Sequence, residues 1–467
     1  MAEPKHAQAV FLEGSLMRHV TTMSLTASIG LMAIFAVDLI DMIFISMLGH
    51  DALAAAAGYA STLLFFTNSI NIGLSIAAGA LVARAIGAGD EEDAREYATS
   101  VAVFAALTGI IMPIILLPNL HLVLGWLGAT GEVADLAVGY LRIILPSMAF
   151  VGIAMAAMAV LRSYGDARRS MYATLFGGMA NAIFDPIFIF ALSLGLEGAA
   201  IASVIARVTM MAFALYPAIV KHNGFAMPSV GLMVRDFSAV GKLAGPAVLT
   251  NVATPVGAAI VTREMSKYGS EAVAGMAVIG RLIPVAFGVV LALSGALGPI
   301  IGQNFGAKKM DRVRGALIAG LQFIAVYVVL ASGILYLLRA PIAGLFDATG
   351  DTMTLIYLFC GPLALFNLFN GALFASNAGF NNLGRPTYST WINWGKNTVG
   401  TWPFVILGSL LAGAPGILIG QALGGVLFAV LSVWLAFRVI AANDHGDEKH
   451  PFQGHRRWHI LMHSGRW

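Results

Sequence analysis

Asn181 and Asp185 stand four residues apart in an apolar run from about 171 to 196, and Pro186 follows directly. On a helix, that spacing puts both polar side chains on one face. Pro186 has no backbone N–H, which frees the carbonyl of Ala182 one turn back. Two more acids, Asp38 and Asp41, lie three residues apart in the first apolar run. A charge at the centre of a bilayer costs roughly 2.5–3.5 kcal/mol even on the lenient insertion scale, so such residues are read as functional by default. Two neighbouring carboxylates cannot both stay ionised without a counter-cation. The chemistry they suit is reversible capture of H⁺ or Na⁺. A proton neutralises one acid, whereas sodium needs several oxygens from Asp41, Asn181, Asp185 and a hydroxyl. Tyr140 and Ser203 offer that hydroxyl. Arg142 and Arg207 are intramembrane cations that would instead tie the acids into structural ion pairs.

These residues need a membrane around them, and the composition demands one. The chain has 467 residues, 58% hydrophobic and 11% charged, with mean hydropathy +0.83. Soluble domains carry about 25% charged residues. The net charge of +3 is small, and there is no basic stripe of the kind nucleic-acid binding requires. Cys360 is the only cysteine, so an intramolecular disulfide is impossible and a cysteine-ligated metal disfavoured. No resident metal or cofactor is expected. An intramembrane enzyme would need a His, Ser or metal constellation in the spans. His19 stands alone at a helix edge, and His445, His450, His455, His459 and His463 lie in the polar tail. Residues 1–17 have no apolar core and do not read as a cleavable signal peptide.

Apolar runs of spanning length lie near 18–46, 52–84, 97–118, 134–161, 171–195 and 198–220. A second set lies near 240–263, 272–303, 313–338, 352–380, 388–411 and 416–440. The expected fold is an all-α integral membrane protein of roughly twelve transmembrane helices. Lys and Arg concentrate in alternate loops: Arg84 and Arg95, then Arg162, Arg168 and Arg169, then Lys221, Arg235 and Lys242, then Lys308 to Arg314, then Arg385. Arg263, Lys267 and Arg339 are exceptions. This bias predicts a multi-pass protein of the plasma or inner membrane with both termini cytoplasmic.

The two sets also resemble each other at an offset near 220 residues. Leu48-Gly-His-Asp-Ala-Leu-Ala54 parallels Tyr268-Gly-Ser-Glu-Ala-Val-Ala274, and Ile86-Gly-Ala-Gly-Asp90 parallels Phe305-Gly-Ala-Lys-Lys309. Tyr140-Leu141 with Pro146 parallels Tyr357-Leu358 with Pro362. With six spans each, both halves enter from the same side. The expectation is two six-helix bundles, 1–225 and 226–441, related by a pseudo-two-fold axis along the membrane normal, then a polar tail, 442–467. Such a pair encloses a cleft suited to alternating access. Acids deep in the spans belong only to the first half. Nothing acidic matches Asp41 or Asp185 in the second, where Arg281 and Lys396 stand instead.

With these pieces in view the chain resembles the multidrug and toxic compound extrusion (MATE) transporters. The resemblance rests on Val37-Asp-Leu-Ile-Asp41 before Leu48-Gly49, Asn181-Ala-Ile-Phe-Asp-Pro186, Gly302-Gln-Asn-Phe-Gly-Ala307 and Gly384-Arg-Pro386, and covers about 15–440. Acids confined to the first bundle make it most similar to the DinF-like branch. The resemblance implies a cation-coupled antiporter for amphipathic drugs, organic cations among them. It carries the coupling role onto Asp41, Asn181, Asp185 and Ser203, with Tyr140 nearby. Ser203 stands where relatives often have threonine, and Asp38 is extra to the pattern. Membrane lipids and a small-molecule substrate are the expected partners, and the chain is expected to act as a monomer. The other reading kept open is a two-bundle flippase or exporter of a lipid-linked precursor or native metabolite, for which Arg281 and Lys396 would make the cavity cationic.

Overall fold

The computed structural model describes residues 9–444, and its secondary structure is entirely helical. The histidine-bearing tail from His445 onward lies outside the described residues. The first half comprises α1 (Leu16–Ser46), α2 (Asp51–Ala88), α3 (Glu91–Leu116), α4 (Leu120–Leu127), α5 (Gly131–Ile144), α6 (Met148–Ser163), α7 (Ala167–Pro186) and α8 (Gly195–Val220). The second comprises α9 (Val230–Met265), α10 (Ser270–Gly306), α11 (Met310–Leu345), α12 (Gly350–Cys360), α13 (Asn367–Asn382), α14 (Pro386–Asn397) and α15 (Trp402–Asp444).

Twelve passes emerge once the breaks are read correctly. Ten helical stretches are long and apolar enough to cross a bilayer, and α12 with α13 forms an eleventh, bent by 48°. The last stretch, Pro386–Asp444, contains two passes. Ala412 and Gly413 have non-helical angles, and Gly413 takes a φ of 63°. Around them Gly408 packs on Gly416, Phe404 on Gly420 and Gly400 on Gly424. Those pairs are centred on Ala412, so α15 is a hairpin whose two arms touch backbone to backbone. Small residues allow that approach in lipid.

Prolines set the other interruptions, and they recur in both halves. Pro146 starts a short 3₁₀ turn between α5 and α6, and Pro362 starts one between α12 and α13. The turn after α2 repeats as well: Gly89 has φ 77°, and Lys308 after α10 has φ 60°. The two halves meet reciprocally at this end. A side chain at Gly87 would strike the carbonyl of Gln303, and one at Gly306 would strike the carbonyl of Arg84. Each contact maps onto the other under the repeat offset, as a pseudo-two-fold axis between α2 and α10 requires.

One helix differs from the sequence expectation. The seventh span begins at Val230, so Arg235 and Lys242 are helical residues and not part of a loop. Arg235 is accommodated because Glu96, Asp93 and Asp236 surround its guanidinium. At the other end of α9, Glu264 accepts from Lys267 at 2.6 Å, which neutralises one of the exceptional cations.

Candidate functional site

Helices α1 and α7 pack side by side, and the close approach has a residue-level cause. A side chain at Gly178 would press on Val37. One turn past Gly178 the same face carries Asn181 and then Asp185, and both are buried. The Asn181 amide nitrogen donates to Asp41 Oδ1 at 2.6 Å across the helix pair and to Asp185 Oδ2 at 2.8 Å along its own helix. One amide therefore bridges two carboxylates from different helices. The second oxygen of Asp185 is buried and has no hydrogen-bond partner.

The backbone beyond the acids is also unusual. After Pro186 the chain widens into a π-turn, Ile187–Ala191, and the Leu192 N–H donates to the Ile187 carbonyl five residues back. Such turns recur where a helix must flex at a functional site. Phe190 in this turn meets Phe44 of α1 edge to face, with centroids 5.8 Å apart. The break thus touches the helix that carries Asp41.

The remaining candidate residues separate into neighbours and bystanders. Tyr140 lies beside Ser203 and within electrostatic range of Asp41, Asp185 and Arg207. Asp38 is exposed on α1, near Asp41 and Arg207. The ion pairs considered from sequence are absent among the described residues: no salt bridge joins Asp41 or Asp185 to Arg142 or Arg207. Arg142 is exposed. Arg207 donates to the Ile144 carbonyl at 3.0 Å and to Ser147 Oγ at 2.8 Å. It serves the backbone groups that the Pro146 break leaves free, and the acids keep no counter-cation. No group of three His, Cys, Asp or Glu able to hold a metal occurs among the described residues.

A second polar network was not legible beforehand. Ser100 on α3 donates to Asp236 Oδ2 on α9 at 2.6 Å, and Asp236 is fully buried. Arg235 joins Asp236 at 2.7 Å and Glu96 at 2.5 Å. Nearby, Gln303 donates to the Ser163 carbonyl at 2.8 Å and accepts from the Phe11 N–H at 2.9 Å. These bonds fasten the two halves at the basic-loop end. A cavity of about 60 Å³ lies between the halves, lined by Ser75, Gly79, Arg162, Ser294 and Asn381 among others. The adjacent Arg235-Asp236 pair was the available signal, masked by its assignment to a loop.

Two repeated helical halves around a cleft, with unpaired carboxylates inside one of them, define a membrane transporter and not an enzyme. The MatE family model matches residues 26–187 and again 246–406, and the chain belongs to this family of multidrug and toxic compound extrusion transporters. It is 28% identical over 443 residues to an FAD transporter of Shewanella oneidensis, covering 92% of this chain and 96% of that protein. It is 25% identical over 370 residues to the multidrug export protein MepA of Staphylococcus aureus, covering 76% and 81%. The crystal structure of the Vibrio cholerae MATE transporter VcmN superposes with a TM-score of 0.87 at 26% identity, covering 94% of this chain and 99% of that one.

Proposed function

We propose that this protein is a proton-coupled antiporter of the inner membrane that exports amphipathic organic compounds by alternating access. The observation that carries the reading is the Asn181 bridge. Two carboxylates share one amide inside the bilayer, with no cation paired to either. Like charges so placed favour uptake of a proton by one of them. Among H⁺ and Na⁺ the proton is favoured, because the amide presents nitrogen between the acids where sodium would need an oxygen. Ser203 and Tyr140 supply the adjoining hydroxyls. Protonation removes the charge that holds Asn181 between its partners, and the π-turn after Pro186 is the element free to change its bend. Narrowing of the first lobe would then drive substrate outward. Confinement of the acids to that lobe supports the DinF-like assignment, and the basic loops support cytoplasmic termini. The expected working unit is the single chain with its lipid.

The test is efflux of ethidium from proteoliposomes under separately imposed pH and sodium gradients. A pH gradient alone is expected to drive transport, and Asp41→Asn and Asp185→Asn are each expected to reduce it at least about 10-fold, the low end for loss of an essential proton-transfer group. Normal transport by both variants would overturn the coupling site, and drive by sodium alone would overturn the choice of ion. Similarity to an FAD transporter favours a second reading, export of a native anionic metabolite.

A further inference from the structure

The second lobe holds a cation where the first holds its acids. Lys396 is ten residues into α14 from Pro386, about 15 Å along the helix and so near mid-membrane depth. Its ammonium donates inward to Asn370 Oδ1 of α13 at 2.5 Å. Asn370 in turn donates to Asn367 Oδ1 at 3.3 Å, and Asn367 donates to the Ala364 carbonyl at 3.2 Å. Among the described residues no carboxylate pairs with Lys396. An ammonium carries three donors, and one of them is used. The lysine and Asn370 are both only partly buried, so the remaining donors face accessible space.

The backbone around Lys396 is built to hold it there. Helix α14 ends at Asn397, the Thr401 hydroxyl donates to the Lys396 carbonyl at 2.8 Å, and the Gly400 N–H reaches the Gly395 carbonyl at 2.8 Å. Phe428, from the far arm of α15, packs against Gly395 and Gly400. The long lysine stem would ordinarily let the charge snorkel to an interface, but here it is turned into the lobe. On α13, Phe366 lies one turn from Asn370 and neighbours Phe369, with ring centroids 6.0 Å apart.

From this geometry we infer that Lys396, held by Asn370, is a substrate subsite for the anionic group of an amphipathic aromatic solute, a phosphate or carboxylate. The inference deepens the transporter reading by naming the substrate class that the second lobe accepts. A phosphate supplies the acceptors that the ammonium lacks, and the phenylalanines offer the ring a face.

The probes are riboflavin and its monophosphate FMN, which share one ring system and differ by the phosphate, measured by fluorescence anisotropy on the full chain in phosphatidylcholine nanodiscs. FMN is expected to bind about 10-fold more tightly than riboflavin, the factor for one charged hydrogen-bonding contact. Lys396→Gln should abolish that preference and Lys396→Arg should retain it. Asn370→Asp, which gives the lysine a carboxylate without removing it, should abolish the preference as well. Ethidium efflux driven by a pH gradient should persist in Lys396→Gln. An unchanged FMN preference in both Lys396→Gln and Asn370→Asp would overturn the subsite. So would loss of wild-type FMN binding on adding phosphatidylglycerol, since the anion bound would then be a lipid headgroup. Neither result bears on Asp41 and Asp185, whose variants test the coupling reading separately.

Discussion

Asn181 does what neither aspartate does alone. Its amide nitrogen fixes the distance between Asp41 and Asp185 and stabilises charge on both. Removing the amide should leave the acids in place and disturb only their coupling. Asn181→Ala is therefore expected to keep the protein folded while cutting pH-driven efflux about 10-fold, the scale set by loss of one or two hydrogen bonds to charged groups. Comparing efflux with detergent-extracted melting behaviour distinguishes that outcome from misfolding. A second residue-scale expectation concerns Asp166, the N-cap of α7, outside the spans. Burial alone would raise its pKa, but hydrogen bonds from His222 and Arg169 hold the carboxyl below the usual carboxylate range. A depressed folded pKa contributes stability that is present above the ordinary value near 3.8 and is lost as pH falls below it. Asp166→Asn should lower the melting temperature at pH 7, and the difference from wild type should shrink in strong acid. An undiminished difference there would assign the loss to capping and not to charge.

At the scale of elements, the prolines were readable and the shapes they produce were not. Pro186 announced a break in α7, but the π-turn and its contact from Phe190 to Phe44 depend on where α1 lies. Pro186→Ala restores a backbone donor and should favour a regular helix. Spin labels placed on either side of the break should report a longer, less variable separation across it, with efflux reduced. An unchanged distance distribution would remove the π-turn from the transport cycle. The hairpin in α15 is the opposite case. An uninterrupted apolar stretch gives little sign of reversal apart from Gly413, and only the pairing of Gly408 with Gly416 and Gly400 with Gly424 makes it plain.

At the scale of the whole molecule, the two halves are locked at the basic-loop end by Arg235, Glu96, Asp236 and Ser100. Alternating access requires this lock to open. Removing the half-buried cation leaves Asp236 buried without its charge partner, which weakens the closed state. In a Cys360→Ala background, Arg235→Ala should raise the rate at which a cysteine placed at Ser294, beside the cleft, reacts with a water-soluble maleimide. A shift of about 1.4 kcal/mol in the closed–open balance would appear as a 10-fold change. An unaltered rate would show that the reciprocal packing of Gly87 and Gly306 holds the halves shut by itself.

The sequence by itself determined the membrane solvent, the spans, the repeat and the confinement of deep acids to one half. Each of these follows from composition and from spacing along the chain, which hydropathy and the 1.5 Å helical rise convert directly into depth. Depth was enough to set Asp41 and Asp185 at a similar level. Only the tertiary structure decided that Asn181 stands between them, that Arg142 and Arg207 do not pair with them, and that Lys396 turns inward to Asn370. It also moved Arg235 from a loop into a helix and against Glu96. The reason is rotational. In lipid the outer and inner faces of a helix are both apolar, so no amphipathic stripe tells which way a side chain points. That angle is set by packing between helices far apart in sequence, as Gly178 against Val37 sets it for α7.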